Sequence, residues 1–194
     1  MRLRPAHEGS LRRFSKPVNT NWYVITGAPH SGKTTVLNQL ARLGYRTCYD
    51  VAKDILRRYV ANGSSAREAR HSESSFQRIV YKEMVKLESA LSPSEIVFLD
   101  YALPDNIAFY KNARLSVPPE VSRAAKMFRY RTIFHLDPIP IKKKDSLRLE
   151  DDEAQRKLDH LIERVYCSLR YSVIRLPHIS TNERVKRILR RIRS

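Results

Sequence analysis

The sequence is poor in cysteine and has no long apolar segment. Only two of its 194 residues are cysteines, Cys48 and Cys167, and neither has a partner at the spacing of a metal or redox motif. Both lie in apolar patterns, so we expect reduced thiols buried in the core. No apolar run approaches the ~18 residues of a membrane-spanning helix, and the N-terminus lacks the apolar stretch of a secretory signal. We therefore expect a cytoplasmic protein without a transmembrane segment.

Acidic residues are scarce relative to basic ones. The chain has 37 Lys and Arg against 20 Asp and Glu, a formal net charge of +17. Such a surface attracts polyanions, which include nucleotides, RNA and anionic membranes, although a solvated basic surface without a macromolecular partner remains the alternative. The aromatic residues do not alternate with the basic runs as they do in a stacking platform for nucleic acid.

The length favours one domain with a buried core, preceded by a basic segment. Residues 1–20 are rich in Arg and Lys and lack sustained periodicity. We interpret them as a flexible arm before a domain of residues 21–194. An organelle-targeting segment is the alternative interpretation of this arm.

The most specific motif follows this arm. Residues 27–35 read Gly-Ala-Pro-His-Ser-Gly-Lys-Thr-Thr, which matches the phosphate-binding P-loop, Gly-x4-Gly-Lys-Thr. An apolar run precedes the motif and an amphipathic helical pattern follows it, as a P-loop requires. Its glycines allow backbone N–H groups to converge on phosphate oxygens, and the N-terminus of the next helix adds partial positive charge. The predicted nucleotide-binding residues are Gly27, Ala28, Pro29, His30, Ser31, Gly32, Lys33, Thr34 and Thr35.

Two of these residues have individual roles in the predicted site. Lys33 is expected to reach the β- and γ-phosphates of ATP or GTP, and the Thr34 hydroxyl to ligate Mg²⁺. Asp100 ends the apolar run Ile-Val-Phe-Leu at 96–99, so it is a second candidate for the metal, or for accepting a hydroxyl proton. A turn or helix N-cap aspartate is the structural alternative for Asp100.

Further candidates follow two other apolar runs. Asp50 ends the second run and could act as a general base or bind a substrate hydroxyl, or it could cap the helix that begins at Val51. Lys53 lies one turn on and could bind phosphate, although we favour a solvent-facing side chain. After the fourth run, Arg148 lies where a mobile lid would place an arginine over the triphosphate. The neighbouring Lys142–Lys144 could bind phosphate or be solvated.

The order of patterns predicts the fold class. Apolar runs predict strands near 22–26, 45–49, 96–99, 132–136 and 173–176. Helical periodicity predicts helices over 32–42, 51–61, 73–91, 151–170 and 181–193, with shorter helices within 104–126. This alternation predicts an α/β, three-layer P-loop fold with a five-stranded parallel sheet and helices on both faces. The functional residues should then gather at the carboxyl ends of the strands.

The last helix has one apolar stripe, formed by Val185, Ile188, Leu189 and Ile192, and is otherwise almost wholly cationic. Such a helix can dock on the core with its charges in water, or it can lie on anionic lipid or RNA. His135 lies within the fourth predicted strand and is interpreted as a core residue. His30 is expected to face solvent or nucleotide.

Several motifs, in order over residues 22–192, resemble one known family. They are Ile-Thr-Gly-Ala-Pro-His-Ser-Gly-Lys-Thr-Thr at 25–35, Tyr-Asp-Val-Ala-Lys-Asp-Ile at 49–55, Ser-Phe-Gln at 75–77, Phe-Leu-Asp-Tyr-Ala-Leu-Pro-Asp at 98–105, Asp-Ser-Leu-Arg-Leu-Glu-Asp at 145–151 and Asn-Glu-Arg-Val at 182–185. The chain resembles the AAA-type P-loop NTPases that include the ribosylnicotinamide kinase domain of NadR and related GTP-binding proteins. The resemblance implies a nucleotide-kinase-like fold, with Asp100 as the strand-end acid, Arg148 as the lid arginine and the loop at 177–181 beside the nucleobase.

The sequence departs from the family pattern at three of these positions. Tyr101 stands where the family usually has an arginine after the aspartate, Lys53 stands where arginine is usual, and Asp50 stands where glutamate is commoner. Lysine cannot reproduce the bidentate fork of arginine. We therefore predict a Mg²⁺-dependent ATP- or GTP-binding protein, a nucleoside-like small-molecule kinase or an NTPase. The alternative is a nucleotide-regulated, non-catalytic module that binds phosphoinositide membranes or RNA.

Overall fold

The computed structural model describes residues 16–63, 65, 68, 72–139 and 149–193. Its central sheet has five parallel strands, which are β2 (Trp22–Thr26), β3 (Arg46–Cys48), β4 (Val97–Asp100), β6 (Thr132–Leu136) and β7 (Val173–Leu176). They lie in the order β3-β4-β2-β6-β7. A separate parallel pair joins β1 (Val18–Asn19) to β5 (Phe128–Arg129). The strand bearing the P-loop, β2, is therefore central, and the strand that ends in Asp100 is its neighbour.

Helices cover both faces of this sheet. They are α1 (Lys33–Arg42), α2 (Val51–Ala61), α3 (Glu73–Ser89), α4 (Leu103–Asn112), α5 (Pro119–Ala124), α6 (Leu149–Ser168) and α7 (Thr181–Arg193). Alternate side chains of β2 point to opposite faces, as in any strand. Tyr23 and Ile25 pack in the cluster that includes α1 and α7, whereas Trp22 and Val24 pack against residues of the other helices. This is the predicted three-layer α/β architecture with a five-stranded parallel sheet.

The helix after the P-loop ends in a glycine turn. Gly44 has φ 88°, a left-handed conformation that other residues rarely adopt. Its N–H donates to Ala41 O at 3.0 Å, and Tyr45 N–H donates to Leu40 O at 3.2 Å. These two bonds form a Schellman motif, which satisfies the last carbonyls of α1. The sequence prediction that Gly44 ends this helix is confirmed.

The apolar stripe of α7 faces the core. Val185 and Ile188 are buried, and Leu189 and Ile192 pack against the same cluster. The basic side chains between them, such as Arg190, are exposed. Docking on the core, one of the two interpretations of this helix, is therefore its observed position.

The expectation of two core cysteines is wrong for Cys167. Cys48 is half-buried against the core, but Cys167 is exposed. Cys167 follows the buried Val165 by two positions, and two positions turn an α-helix by about 200°. Its side chain therefore leaves α6 on the solvent side.

None of the helices in the described part of the chain combines the length and the apolar character that a membrane span needs.

Candidate functional site

The P-loop follows β2 at the carboxyl edge of the sheet. Gly27 has φ 127°, and a Cβ atom there would lie 2.5 Å from Leu136 O. Only glycine therefore permits the chain to leave β2 so close to the end of β6. Gly32 caps the N-terminus of α1 with φ 87°. His30 lies at the exposed tip with φ 61°, as expected for a residue that faces solvent or ligand.

Lys33 points into the loop instead of out to solvent. Its side chain is 5% exposed, and its ammonium donates to Gly27 O at 2.9 Å, Ala28 O at 2.8 Å and Ser31 Oγ at 3.3 Å. Burial lowers the pKa of Lys33 from 10.5 to about 8, against the opposing attraction of Asp100. The loop therefore holds a positive charge at its centre near neutral pH.

Asp100, at the end of β4, lies on the strand next to the P-loop strand and is paired in register with Ile25. It is 3% exposed, and neither carboxylate oxygen has a hydrogen-bond partner among the residues that the structure describes. Burial raises its pKa from 3.8 to about 7, and the nearby Lys33 ammonium lowers it in part. A buried carboxylate without a partner is costly, so this side chain is suited to a ligand that supplies the missing contact.

A magnesium ion fits that requirement. Mg²⁺ in nucleotide sites commonly uses one or two carboxylates together with substrate phosphates and water. Thr34 lies in the first turn of α1 with an exposed side chain, as a hydroxyl ligand would require. In the described ranges no group of three or more His, Cys, Asp or Glu side chains could hold a metal alone. Thr34 and Asp100 therefore fit a Mg²⁺ ion whose other ligands are phosphate and water oxygens.

Asp50 caps a helix, one of its two predicted roles. Its Oδ1 accepts from the N–H groups of Ala52 at 2.9 Å and Lys53 at 3.3 Å, which satisfies the N-terminus of α2. Its Oδ2 lies 3.6 Å from the Lys53 ammonium. That ammonium lies 3.4 Å from Thr34 Oγ1, so Lys53 reaches the P-loop although half of its side chain is exposed. Lys53 is thus exposed, as we favoured, and its ammonium also contacts the P-loop. The base role of Asp50 stays a prediction.

Tyr101, at the position where the resembled family usually has an arginine, lies against the phosphate loop. Its backbone has φ 65°, and its hydroxyl donates to Gly27 O at 3.0 Å. The Lys33 ammonium lies 4.6 Å from the centroid of the Tyr101 ring, within the range of a cation–π contact. Phe109 packs edge-on against the same ring at 5.2 Å. Tyr101 is therefore part of the phosphate loop's surroundings, which its sequence position alone did not indicate.

The described residues do not include every predicted phosphate ligand. Arg148 and Lys142–Lys144 lie outside the residues that the structure describes. Among the described residues, the predicted site thus consists of the P-loop, Asp50, Lys53 and Asp100.

Sequence reasoning missed Asp159 of α6. Its Oδ1 accepts from Ala28 N–H at 3.2 Å and lies 2.7 Å from His135 Nε2, and its Oδ2 accepts from Arg175 at 2.9 Å. Burial acts to raise the pKa of Asp159, but the hydrogen bonds from His135, Arg175 and Ala28 outweigh it and bring the pKa to about 2. His135 is fully buried, which confirms its interpretation as a core residue. Its Nδ1 has no hydrogen-bond partner among the described residues. No sequence motif marks Asp159, because its partners lie far away along the chain.

A family model of the AAA domain matches residues 22–184. The chain belongs to the AAA domain family. A search of curated proteins finds no match to this AAA domain.

Solved structures, among them two kinases, share the fold of this AAA domain. Deoxyadenosine kinase from M. mycoides has 15% sequence identity and a TM-score of 0.61, and the match covers 89% of this chain and 98% of that one. Thymidylate kinase from Ehrlichia chaffeensis has 12% identity and a TM-score of 0.62, with 91% and 100% covered. NadR protein in complex with NR has 18% identity and a TM-score of 0.60, with 81% of this chain but only 45% of that one covered. At these identities the likeness establishes a P-loop kinase-like fold.

Proposed function

We propose that this AAA domain binds a Mg²⁺–nucleoside triphosphate and transfers the γ-phosphoryl group to a hydroxyl of a small, nucleoside-like acceptor. The observation that carries the proposal is that the P-loop lysine, Lys33, lies near Asp100, a buried carboxylate on the adjacent strand. Among the described residues, Asp100 has no hydrogen-bond partner. A triphosphate brings anionic oxygens for the first group and a metal ion for the second. The fold shared with nucleoside and nucleotide kinases supports the same reaction class.

Lys33, Thr34, Asp100 and Arg148 would each contact the nucleotide or its metal ion. Lys33 would exchange its carbonyl contacts for β- and γ-phosphate oxygens, while the backbone N–H groups of the loop bind the same phosphates. Thr34 and Asp100 would hold Mg²⁺, which neutralises part of the phosphate charge when bound. Arg148 would close over the γ-phosphate.

Asp50 and Asp100 are the candidates for accepting the proton of the acceptor hydroxyl. Asp50 is already held by two backbone N–H groups, so only Oδ2 remains for a substrate. The Lys53 ammonium lies between this carboxylate and Thr34, and it would bring positive charge to the acceptor side of the phosphates. Catalysis would come from positioning and charge stabilisation, without a covalent intermediate.

Nucleotide binding without phosphoryl transfer is the second candidate. Tyr101 favours this candidate, because it stands where the family usually has an arginine that could bind phosphate. Its hydroxyl instead donates to Gly27 O. In that case the exposed basic face of α7 would serve as the surface for anionic lipid or RNA.

Transfer assays distinguish the two functions. Radiolabelled γ-phosphate ATP and GTP would be supplied with Mg²⁺ and a panel of nucleosides and other small alcohols. The proposal expects labelled product with the wild type and none with Lys33→Ala, while Arg190→Gln, on the exposed face of α7, behaves as wild type. Nucleotide binding with no labelled product from any acceptor would favour the binding module, which salt-dependent binding to vesicles or RNA would then support.

A further inference from the structure

Side chains from α6 and α7 hold the outer surface of the phosphate loop. Asp159 accepts from Ala28 N–H at 3.2 Å, the Gln155 amide donates to Pro29 O, and Arg184 donates to Ser31 O at 2.5 Å. None of the three belongs to the P-loop motif. They contact the loop backbone at Ala28, Pro29 and Ser31, and two of them, Gln155 and Arg184, hold carbonyl oxygens.

Arg184 makes the most extensive of these contacts. It is 2% exposed, although Lys186, Arg187, Arg190 and Arg191 of the same helix are exposed. Besides Ser31 O, its guanidinium donates to Pro177 O at 2.8 Å and to Asp137 O at 3.0 Å. These carbonyls belong to the loops after β2, β7 and β6, which are three neighbouring strands. One buried cation thus joins the three loops at the carboxyl edge of the sheet.

Because of peptide-bond geometry, these contacts determine which way the N–H groups of the phosphate loop point. In a trans peptide the carbonyl and the following N–H point in opposite directions. Holding Ser31 O outward therefore directs Gly32 N–H inward, and holding Pro29 O outward directs His30 N–H inward. The other side of the loop follows the same rule. Ala28 N–H is held outside by Asp159, and Gly27 O on the same peptide points inward to the Lys33 ammonium at 2.9 Å.

We propose that Arg184, assisted by Gln155, is a positioning residue of the phosphate loop that orients the Gly32 and His30 N–H groups toward a bound polyphosphate. The ligand class that depends on it is a linear polyphosphate, whichever nucleobase is attached. The inference rests on the proposed function, because it assumes that the loop binds phosphate. It adds a residue 153 positions from Ser31 in sequence, which the P-loop motif does not contain.

Arginine is suited to this task for a chemical reason. Three carbonyls from three loops need donors in different directions, and the planar guanidinium supplies five N–H groups in a fixed fork. A lysine ammonium is a compact charge and cannot reach the same three oxygens with this geometry. The Arg184→Lys variant should therefore be intermediate between wild type and a variant without donors.

Inorganic tripolyphosphate is the decisive probe, because it has no base. Its affinity would be measured by calorimetry with Mg²⁺ for the wild type, Arg184→Met and Arg184→Lys, at a temperature where circular dichroism shows each variant folded. We expect at least tenfold weaker binding for Arg184→Met and a smaller loss for Arg184→Lys. The matched control, Arg190→Gln on the exposed face of the same helix, should stay within twofold of wild type.

Several other results would overturn or support the positioning role of Arg184. Tripolyphosphate affinity unchanged in folded Arg184→Met overturns the inference, and so does a loss that appears only with ATP and GTP, because that loss would come from the loop after β7. If Arg184→Met does not fold, tripolyphosphate binding is measured with Gln155→Ala, which changes a half-exposed residue. Threefold weaker binding of tripolyphosphate supports the inference, and wild-type affinity overturns it. A wild type that binds neither tripolyphosphate nor nucleotide refutes the proposed function as well.

Discussion

Replacing Asp100 by asparagine should stabilise the nucleotide-free protein while weakening its binding of a Mg²⁺–triphosphate. The carboxylate is buried, with no hydrogen-bond partner within the described part of the chain. Burial, opposed in part by Lys33, raises its pKa from 3.8 to about 7. Between pH 3.8 and about pH 7, Asp100 keeps its proton in the folded protein but has lost it in the unfolded chain. The free energy of unfolding therefore falls as the pH rises through this range.

The pKa shift sets the size of the effect. A shift of about 3 pKa units corresponds to about 4 kcal/mol. Linkage places about 2 kcal/mol of this destabilisation at pH 5 and about 4 kcal/mol at pH 7.5. Asparagine keeps the shape of the side chain without the charge, so Asp100→Asn should be more stable than wild type by up to these amounts. The amide needs hydrogen-bond partners of its own, which makes these values upper limits.

Urea denaturation at pH 5 and pH 7.5 measures the effect. The stability gain of Asp100→Asn should grow by about 2 kcal/mol between the two pH values. Asp54→Asn removes an exposed carboxylate paired with Arg57 and should change stability by less than about 0.5 kcal/mol at either pH. Added Mg²⁺ and nucleotide should raise the stability of the wild type more than that of Asp100→Asn. If the stability gain of Asp100→Asn at pH 7.5 is equal to or smaller than its gain at pH 5, Asp100 is not a buried carboxylate with a raised pKa.

Three further substitutions test the surroundings of the loop. Gly27→Ala should cost about 2–4 kcal/mol in urea unfolding, because the new Cβ atom would lie 2.5 Å from Leu136 O in a left-handed backbone. Tyr101→Phe should cost about 1 kcal/mol in the same assay by removing the hydrogen bond to Gly27 O, and wild-type stability would contradict that contact. Asp159→Asn should cost about 2 kcal/mol at neutral pH. Because the pKa of Asp159 is lowered from 3.8 to about 2, this difference should be retained above pH 4 and shrink as pH falls toward 2.

The sequence predicted the sheet well because its strands are short, apolar and clearly bounded. Thr132–Leu136 and Val173–Leu176 match the predicted ranges at both ends, as does the helix Thr181–Arg193. The strand expected over 45–49 is shorter, Arg46–Cys48. This strand lies at the edge of the sheet, where a pattern of buried residues is weakest.

The P-loop was predictable as a site because its chemistry is local. Gly27, Gly32 and Lys33 lie within seven consecutive residues, so their spacing alone indicates phosphate binding. The residues that hold the loop from outside could not be found in this way. Arg184 and Asp159 reach it across 153 and 131 positions, and only the packing of α6 and α7 on the sheet brings them there.

Calorimetric titration of Mg²⁺–ATP and Mg²⁺–GTP into the wild type and Lys33→Ala tests the central claim most directly. The Lys33 ammonium is the buried cation at the centre of the loop, and removing it also removes its contacts with Gly27 O and Ala28 O. Our account predicts saturable binding of at least one triphosphate to a single site on the wild type, with at least tenfold weaker binding to folded Lys33→Ala. Equal affinity in the two proteins, or no binding of either nucleotide to the wild type, would contradict it.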